Sequence, residues 1–283
     1  MQTLFWYIYA SDGEQGFLLD LIDRSAAAEA RLLCCSLNHL PLVFREVVPR
    51  EQLRAEQGHL AVRLGDLKLD CLGCSGAQGE IRLDAEIQPS GKSITFVPRW
   101  VTRSVNRVPY FSSHYGWLTR GECRGVAYRR VPLVYSTYEV GDLAKAEWIL
   151  ISATRFEDTD LMFEISASYL VGSWAVSAYI FFEGREYKLN TPWDSVSKMR
   201  VFHAGDVSDG KRVFTASIHC SEISLQIEAA APAERFALLA HEGETYIHTT
   251  LLGDCRASIY KGASASGNET YHSSRRCLLE VKR

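Results

Sequence analysis

The sequence contains no run approaching the roughly 20 apolar residues that a membrane-spanning helix requires. Its opening, MQTLFWYIYASDGE, lacks the basic segment of a secretory signal, and its apolar run is too short and too aromatic for one. A cytoplasmic location is therefore expected. Charge of either sign is not in excess: 31 Lys and Arg stand against 34 Asp and Glu, for a net charge of −3. That balance gives no basic footprint for nucleic acid or an anionic membrane. Proline is scarce, with 8 residues, and almost absent from the strand-like runs. The 8 cysteines include one CxxC, Cys71 to Cys74, beside Gly73, Gly76 and Gly79. No second CxxC and no HxxxH accompanies it, so two of the four ligands of a structural zinc site are missing. Free thiols in a turn are expected, and no metal. No nucleophile elbow surrounds a serine. The segment Gly205 to Lys211 nearly spells a phosphate-binding loop, but Arg212 follows where Ser or Thr is needed and a strand follows where a helix is needed. It reads as a hairpin turn.

What the chain does have is alternation. Over 283 residues, with 13 Tyr, 6 Trp and 11% aromatics, short apolar runs recur between turn signals. Residues 4–9 (LFWYIY) and 17–22 (FLLDLI) form a hairpin around Asp12-Gly13. Residues 25–31 (SAAAEAR) have helical propensity over about two turns, and a short helix fits after Pro49. EIRLDAEIQP places Ile81, Leu83, Ala85 and Ile87 on one face and charged or polar groups on the other, as in a strand with one face in water. Residues 93–111 break any period and read as a long ordered loop. Strands resume at 114–118 and continue to 276–282. Turn pairs such as Glu183-Gly184 and Asp209-Gly210 punctuate them. Period, turns and spacing together predict an all-β barrel or sandwich.

One stretch organises the rest, YSTYEVGDLAKAEWILISATRF, from Tyr135 to Phe156. It reads as a boundary over Tyr135 to Lys145 followed by a strand. Trp148, Leu150, Ser152, Thr154 and Phe156 share one face of that strand, because side chains alternate. A face mixing aromatic, aliphatic and hydroxyl groups fits either the wall of a half-wet cavity or ordinary core.

Several stretches together resemble the tocopherol cyclase-like family. ITFVPRW, RVPYFSSHYGWL and GECRGVAY follow the order of its first half. YEVGDLAKAEWILISATRF stands at its Asn-Trp-Gly motif and Trp-rich strand. DLMFEISASYLVGSW, AYIFFEGREYKLN, SLQIEAAAPAERFALL and LLGDCRASIYK follow its later strands. Glu139-Val140-Gly141 replaces Asn-Trp-Gly, Thr154-Arg155-Phe156 replaces Asn-His-Phe, and Ser152 replaces a Gln. The resemblance implies two lipocalin-like β-barrel halves in tandem, 1–132 and 133–283, an architecture related to carotenoid hydratases and fungal Diels–Alderases. It also implies a hydrophobic polyene, terpenoid or prenylated substrate, closed to a ring without a cofactor. The replaced polar groups point to a cyclisation other than tocopherol formation.

A ring closure of this type needs a dry pocket that holds the reacting atoms about 3–3.5 Å apart. If proton-initiated, it also needs one acid. Glu139, beside Tyr138 at the family's motif position, is the first acid candidate; an exposed loop carboxylate is the alternative. Glu164 lies within an apolar strand on one face with Met162, Ser166 and Ser168, and is the second candidate unless that face meets solvent. His114 and Tyr115 occupy the family's aromatic–His–Gly strand as proton donor or substrate anchor, or else are ordinary packed residues. Trp148, Trp174 and Trp193, with Tyr138, Ser152 and Thr154, are candidate pocket walls, or core packing. A lipid or isoprenoid carrier of the same fold, and a β protein with filled barrels that acts through its surface, are the competing functions.

Overall fold

The structure, a computed structural model, describes all residues except 1–2, 25, 56–60, 71, 96–109, 125, 129–130, 141–146, 155, 158, 171–172, 191–197, 220–221, 241–245, 262–268 and 283. Among the described residues the chain is all-β, apart from 3-10 turns at Arg50–Gln52 and Ala233–Arg235. No helix among them is long and apolar enough to cross a membrane. The chain divides into two compact units: Met1–Cys34 with Leu42–Lys145, and Cys35–Pro41 with Ala146–Arg283.

The first unit is built on a thirteen-stranded sheet. Its strands are β1 (Thr3–Ser11), β2 (Gln15–Asp23), β3 (Ala27–Ser36), β4 (His39–Pro49), β5 (Leu53–Ala55), β6 (Val62–Leu64), β7 (Leu67–Asp70), β8 (Gly73–Ser75), β9 (Ala77–Gln78), β10 (Ile81–Thr95), β11 (Tyr110–Cys123), β12 (Val126–Tyr128) and β13 (Val131–Val140). The path runs β4-β3-β2-β1-β13-β11-β10-β8-β7-β6-β5. The second unit has ten: β14 (Trp148–Ala153), β15 (Met162–Leu170), β16 (Ser173–Phe182), β17 (Arg185–Asn190), β18 (Lys198–Ser208), β19 (Lys211–His219), β20 (Ile223–Pro232), β21 (Ala237–Ala240), β22 (Tyr246–Lys261) and β23 (Glu269–Lys282). Its path is β17-β16-β15-β14-β23-β22-β20-β19-β18. The two paths follow one plan. Four strands meander in chain order, and the unit's first strand pairs with its last, β1 with β13 and β14 with β23.

Each unit buries one face of its strands in its own apolar core. In the first, Ile8, Phe17, Leu19, Leu21, Leu32 and Leu83 belong to it. In the second, Ile151, Phe163, Ile165, Ile180, Phe214 and Leu279 do. The alternation of β10 is as expected: Ile81, Leu83, Ala85 and Ile87 are buried and the residues between them exposed. Its one proline, Pro89, sits at a break in the β10–β11 register, where a missing ladder donor costs least. The Glu183-Gly184 and Asp209-Gly210 turns join β16 to β17 and β18 to β19 with both residues at positive φ, the backbone of a two-residue hairpin. The near phosphate-binding loop is thus the end of β18 and a hairpin.

Several local expectations change. Residues 27–31 are strand and not helix, because two turns of helix are marginal alone while β3 finds a partner on the sheet. Ala28, Ala30 and Leu32 enter the core, and Glu29 and Arg31 take the opposite face. The helix after Pro49 shrinks to one 3-10 turn before β5. Of the long loop expected at 93–111, residues 93–95 belong to β10 and 110–111 to β11, and residues 96–109 lie outside the described residues. Residues 135–140 are strand and not boundary, because β13 is hydrogen-bonded between β1 and β11. The division expected at Pro132 and Leu133 falls inside that strand. Cys74 lies buried in β8 instead of a turn, and Cys71 is outside the description.

Candidate functional site

The strand read as the organising element, β14, is buried along its whole length. Its two faces do different things. Ile149, Ile151 and Ala153 join the apolar core with Phe163, Ile165 and Ala167 of β15. Trp148, Leu150 and Ser152 look away from that core, yet are also buried. The mixed face therefore does not line the interior of its own unit. Phe156 lies in the core instead, because the strand ends at Ala153 and alternation no longer sets its direction. Thr154 follows the strand end and is half-buried.

The polar groups extend over six neighbouring strands, from β17 to β14 and on to β23 and β22. Ser152 of β14 stands opposite Glu164 of β15, and Glu164 opposite Tyr179 of β16. All three are fully buried, at 0% exposure. The Ser152 hydroxyl Oγ donates to Glu164 Oε2 at 3.3 Å. The Tyr179 hydroxyl donates to Glu186 Oε1 at 3.1 Å, and Lys188 Nζ lies 5.9 Å from the Tyr179 ring centre. Burial first, and then the Glu186 carboxylate, raises the Tyr179 phenol above its ordinary acidity range, so it keeps its proton.

On the other side of β14, Trp148 pairs with Lys282 and Leu150 with Glu280 of β23. Trp148 Nε1 donates to Glu280 Oε1 at 2.9 Å, and Thr249 Oγ1 of β22 donates to Glu280 Oε2 at 3.1 Å. The two donors clamp the carboxylate. The buried Lys282 ammonium stands 5.1 Å from the Trp148 ring centre, within cation–π reach.

Of the residues singled out in the sequence, the structure brings Ser152 and Glu164 together, while Trp148 lies four residues away along the same face of β14. The solvent-face alternative for Glu164 fails, since it has no exposure. Tyr115 is buried in β11 of the first unit. His114 lies beside it, paired with Ser93 and Tyr135. Tyr138 and Glu139 lie in β13, with Glu139 opposite Leu4 and Tyr110, so Glu139 belongs to a strand and not to a loop. Trp174 lies in β16 opposite Tyr169. The side chains of His114, Tyr138, Glu139 and Trp174, and all of Trp193, lie outside the described residues. Glu280, Thr249, Lys282 and Tyr179 were not singled out. Their one signal was a polar residue in an otherwise apolar strand run, as in CLLEVK.

A similar pattern marks the first unit. Asp20 of β2 and Glu29 and Arg31 of β3 are buried on the face opposite the core residues Leu19, Leu21, Ala30 and Leu32. Arg31 Nη2 donates to Asp20 Oδ2 at 2.9 Å. Glu29 is met by Arg24 at 3.1 Å and Arg45 at 2.9 Å. Burial raises the Asp20 carboxyl above its ordinary value, although Arg31 pulls it down.

A pocket of about 300 Å³ opens at β19, β20 and β22. Lys211, Glu228, Asp254 and Arg256 make its lining charged, and it contains none of the expected site residues. No group of His, Cys, Asp or Glu among the described residues has metal-binding geometry.

No protein-family model matches the chain, and no curated protein matches it. Among the solved structures that match, two illustrate the shared fold. One is the crystal structure of a protein provisionally assigned as AttH from Nitrosomonas europaea, with a TM-score of 0.54 at 11% identity, covering 99% of this chain and 92% of that one. The other is kievitone hydratase from Nectria haematococca, with a TM-score of 0.51 at 9% identity, covering 99% and 88%. At such identities the likeness is one of fold: all-β and lipocalin-like over nearly the whole chain.

Proposed function

We propose that the chain is a non-redox enzyme that protonates an unsaturated, hydrophobic small molecule, such as a polyene, terpenoid or prenylated compound, and closes it to a ring. One observation carries this reading: Glu164, a carboxyl with no exposure, faces away from its unit's apolar core with the Ser152 hydroxyl 3.3 Å away. A carboxyl kept from water can hold the proton that a general acid gives, and in that form the Ser152 hydroxyl can accept from it. In this scheme Glu164 gives a proton to a double bond of the substrate. The cation that forms is met by aromatic faces such as Trp148. A nucleophilic atom of the same substrate then bonds to the cationic carbon, and the proton it sheds returns to Glu164. Mass and oxidation state do not change, so no cofactor takes part. Under the family resemblance Glu139, His114 and Tyr115 stay separate acid or anchor candidates within the first unit, and Tyr138, Trp174, Trp193 and Thr154 stay candidate substrate contacts, each to be tested by its own substitution.

The fold likeness to a hydratase favours a second outcome of the same first step. Water in place of an internal nucleophile would capture the cation, giving a hydrated product.

The test incubates the purified protein with linear polyenes and prenylated phenols, read by liquid chromatography and mass spectrometry. A product of unchanged mass and new retention supports ring closure; a product heavier by one water supports hydration. In Glu164→Gln either activity falls by about 10²–10⁴, and in Ser152→Ala by less. Substrate that binds and leaves unchanged moves the reading to a carrier. Full activity in Glu164→Gln removes Glu164 as the acid.

A further inference from the structure

Cys35, Cys74, Cys123, Cys255 and Cys277 are buried free thiols, whereas Cys34, also free, is partly exposed. Cys34 lies near the end of β3 and Cys123 at the end of β11. They are 89 positions apart in sequence, yet their sulfur atoms are 3.9 Å apart. Neither strand pairs with the other, so this approach is made across the first unit's core and not along a ladder. Arg124 follows Cys123 in the turn to β12, at a φ of 51°. Its guanidinium is held in place, with Cζ 3.8 Å from the centre of the Phe44 ring and Nη1 donating to the Glu80 carbonyl at 3.0 Å.

We propose that Cys34 and Cys123 form a peroxide-reactive thiol pair, with Cys34 attacking and Cys123 resolving. Three features assign the roles. Only Cys34 of the two is open to a solute from outside. The hydrogen bond with Cys123, followed by the charge of Arg124, lowers the pKa of Cys34 against the effect of burial. The same hydrogen bond, with burial, raises the pKa of Cys123, which stays a thiol.

The chemistry balances with a hydroperoxide as oxidant. The Cys34 thiolate attacks one oxygen of hydrogen peroxide; the S–O bond forms, the O–O bond breaks, and the departing hydroxide takes up one proton and leaves as water. Cys123 sulfur then attacks Cys34 sulfur. The S–S bond forms, the S–O bond breaks, and hydroxide leaves with the Cys123 proton as a second water. Two thiols lose two electrons and the peroxide gains them. The sulfurs must close from 3.9 Å to about 2.05 Å.

The test treats the reduced full-length protein with hydrogen peroxide, blocks remaining thiols and maps peptides without reduction. The expected result is a Cys34–Cys123 cross-linked peptide lighter by about 2 Da than the two thiol peptides, restored by dithiothreitol, with a loss of about two free thiols per chain. In Cys123→Ala, dimedone should label Cys34; in Cys34→Ser, it should not label Cys123. A wild-type chain whose Cys34 stays reduced, joins Cys35 or any other cysteine, or passes to sulfinic acid with no cross-link overturns the proposal.

Discussion

At the scale of single residues, the second unit depends on buried polar groups being paired. Glu280 accepts from Trp148 and Thr249. Removing it in Glu280→Ala takes the acceptor from both donors, and the expected cost is about 2 kcal/mol in urea unfolding. In the first unit Asp20→Ala removes the 2.9 Å carboxylate partner of Arg31, at 4% side-chain exposure, and leaves it Glu29 at 3.7 Å, so the cost should fall at or below the lower end of the range for a broken buried pair. Breaking a buried pair from one side costs about 3–5 kcal/mol; a loss below 1 kcal/mol by the same measurement would mean that the pair is better hydrated than its burial indicates. Tyr179 supplies a pH signature. Its folded-state pKa is raised above the ordinary 10.0, so the folded chain holds this proton more tightly than the unfolded chain. The stability this contributes is complete below pH 10 and declines as pH rises beyond it. Wild type should therefore exceed Tyr179→Phe in Tm by a constant margin below pH 10, and that margin should narrow above it.

At the scale of elements, alternation within a strand was legible and the side of the sheet that meets the core was not. WILISA alternates plainly, but both of its faces are buried, and nothing in six residues says which meets the apolar core. SAAAEAR was misread for a related reason. Its alanines and Arg31 favour helix locally, while the pairing of β3 on the sheet decides the outcome. Gly253 shows how closely strands approach at an irregularity of β22. A Cβ there would meet Leu279 Cδ1 at 2.5 Å and the Cys277 carbonyl oxygen at 3.0 Å, where the β22–β23 register shifts. Gly253→Ala should cost about 1–3 kcal/mol by overpacking, seen as a lower urea midpoint.

At the scale of the whole molecule, two sheets repeat one path, and each has its own apolar core. Truncating a core residue should act first on the unit that contains it. Leu83→Ala and Ile165→Ala should each cost about 2–5 kcal/mol. In hydrogen exchange, the larger loss of protection is expected among β1–β13 for the first and β14–β23 for the second. Equal loss in both units for either substitution would show that the chain opens as one cooperative block.

The sequence by itself determined the all-β class, the hairpin turns at Glu183-Gly184 and Asp209-Gly210, and the half-wet pattern of β10. These depend on period and on backbone preferences within a few residues. It also marked Glu164 and Ser152, because polar groups stand out in an apolar run. Only the tertiary structure decided that their face is buried, that Glu280 joins Trp148 from 132 positions away, and that Cys34 meets Cys123. Those facts depend on which distant strands become neighbours. Burial and pairing are properties of the assembled sheet, and a local pattern cannot carry them.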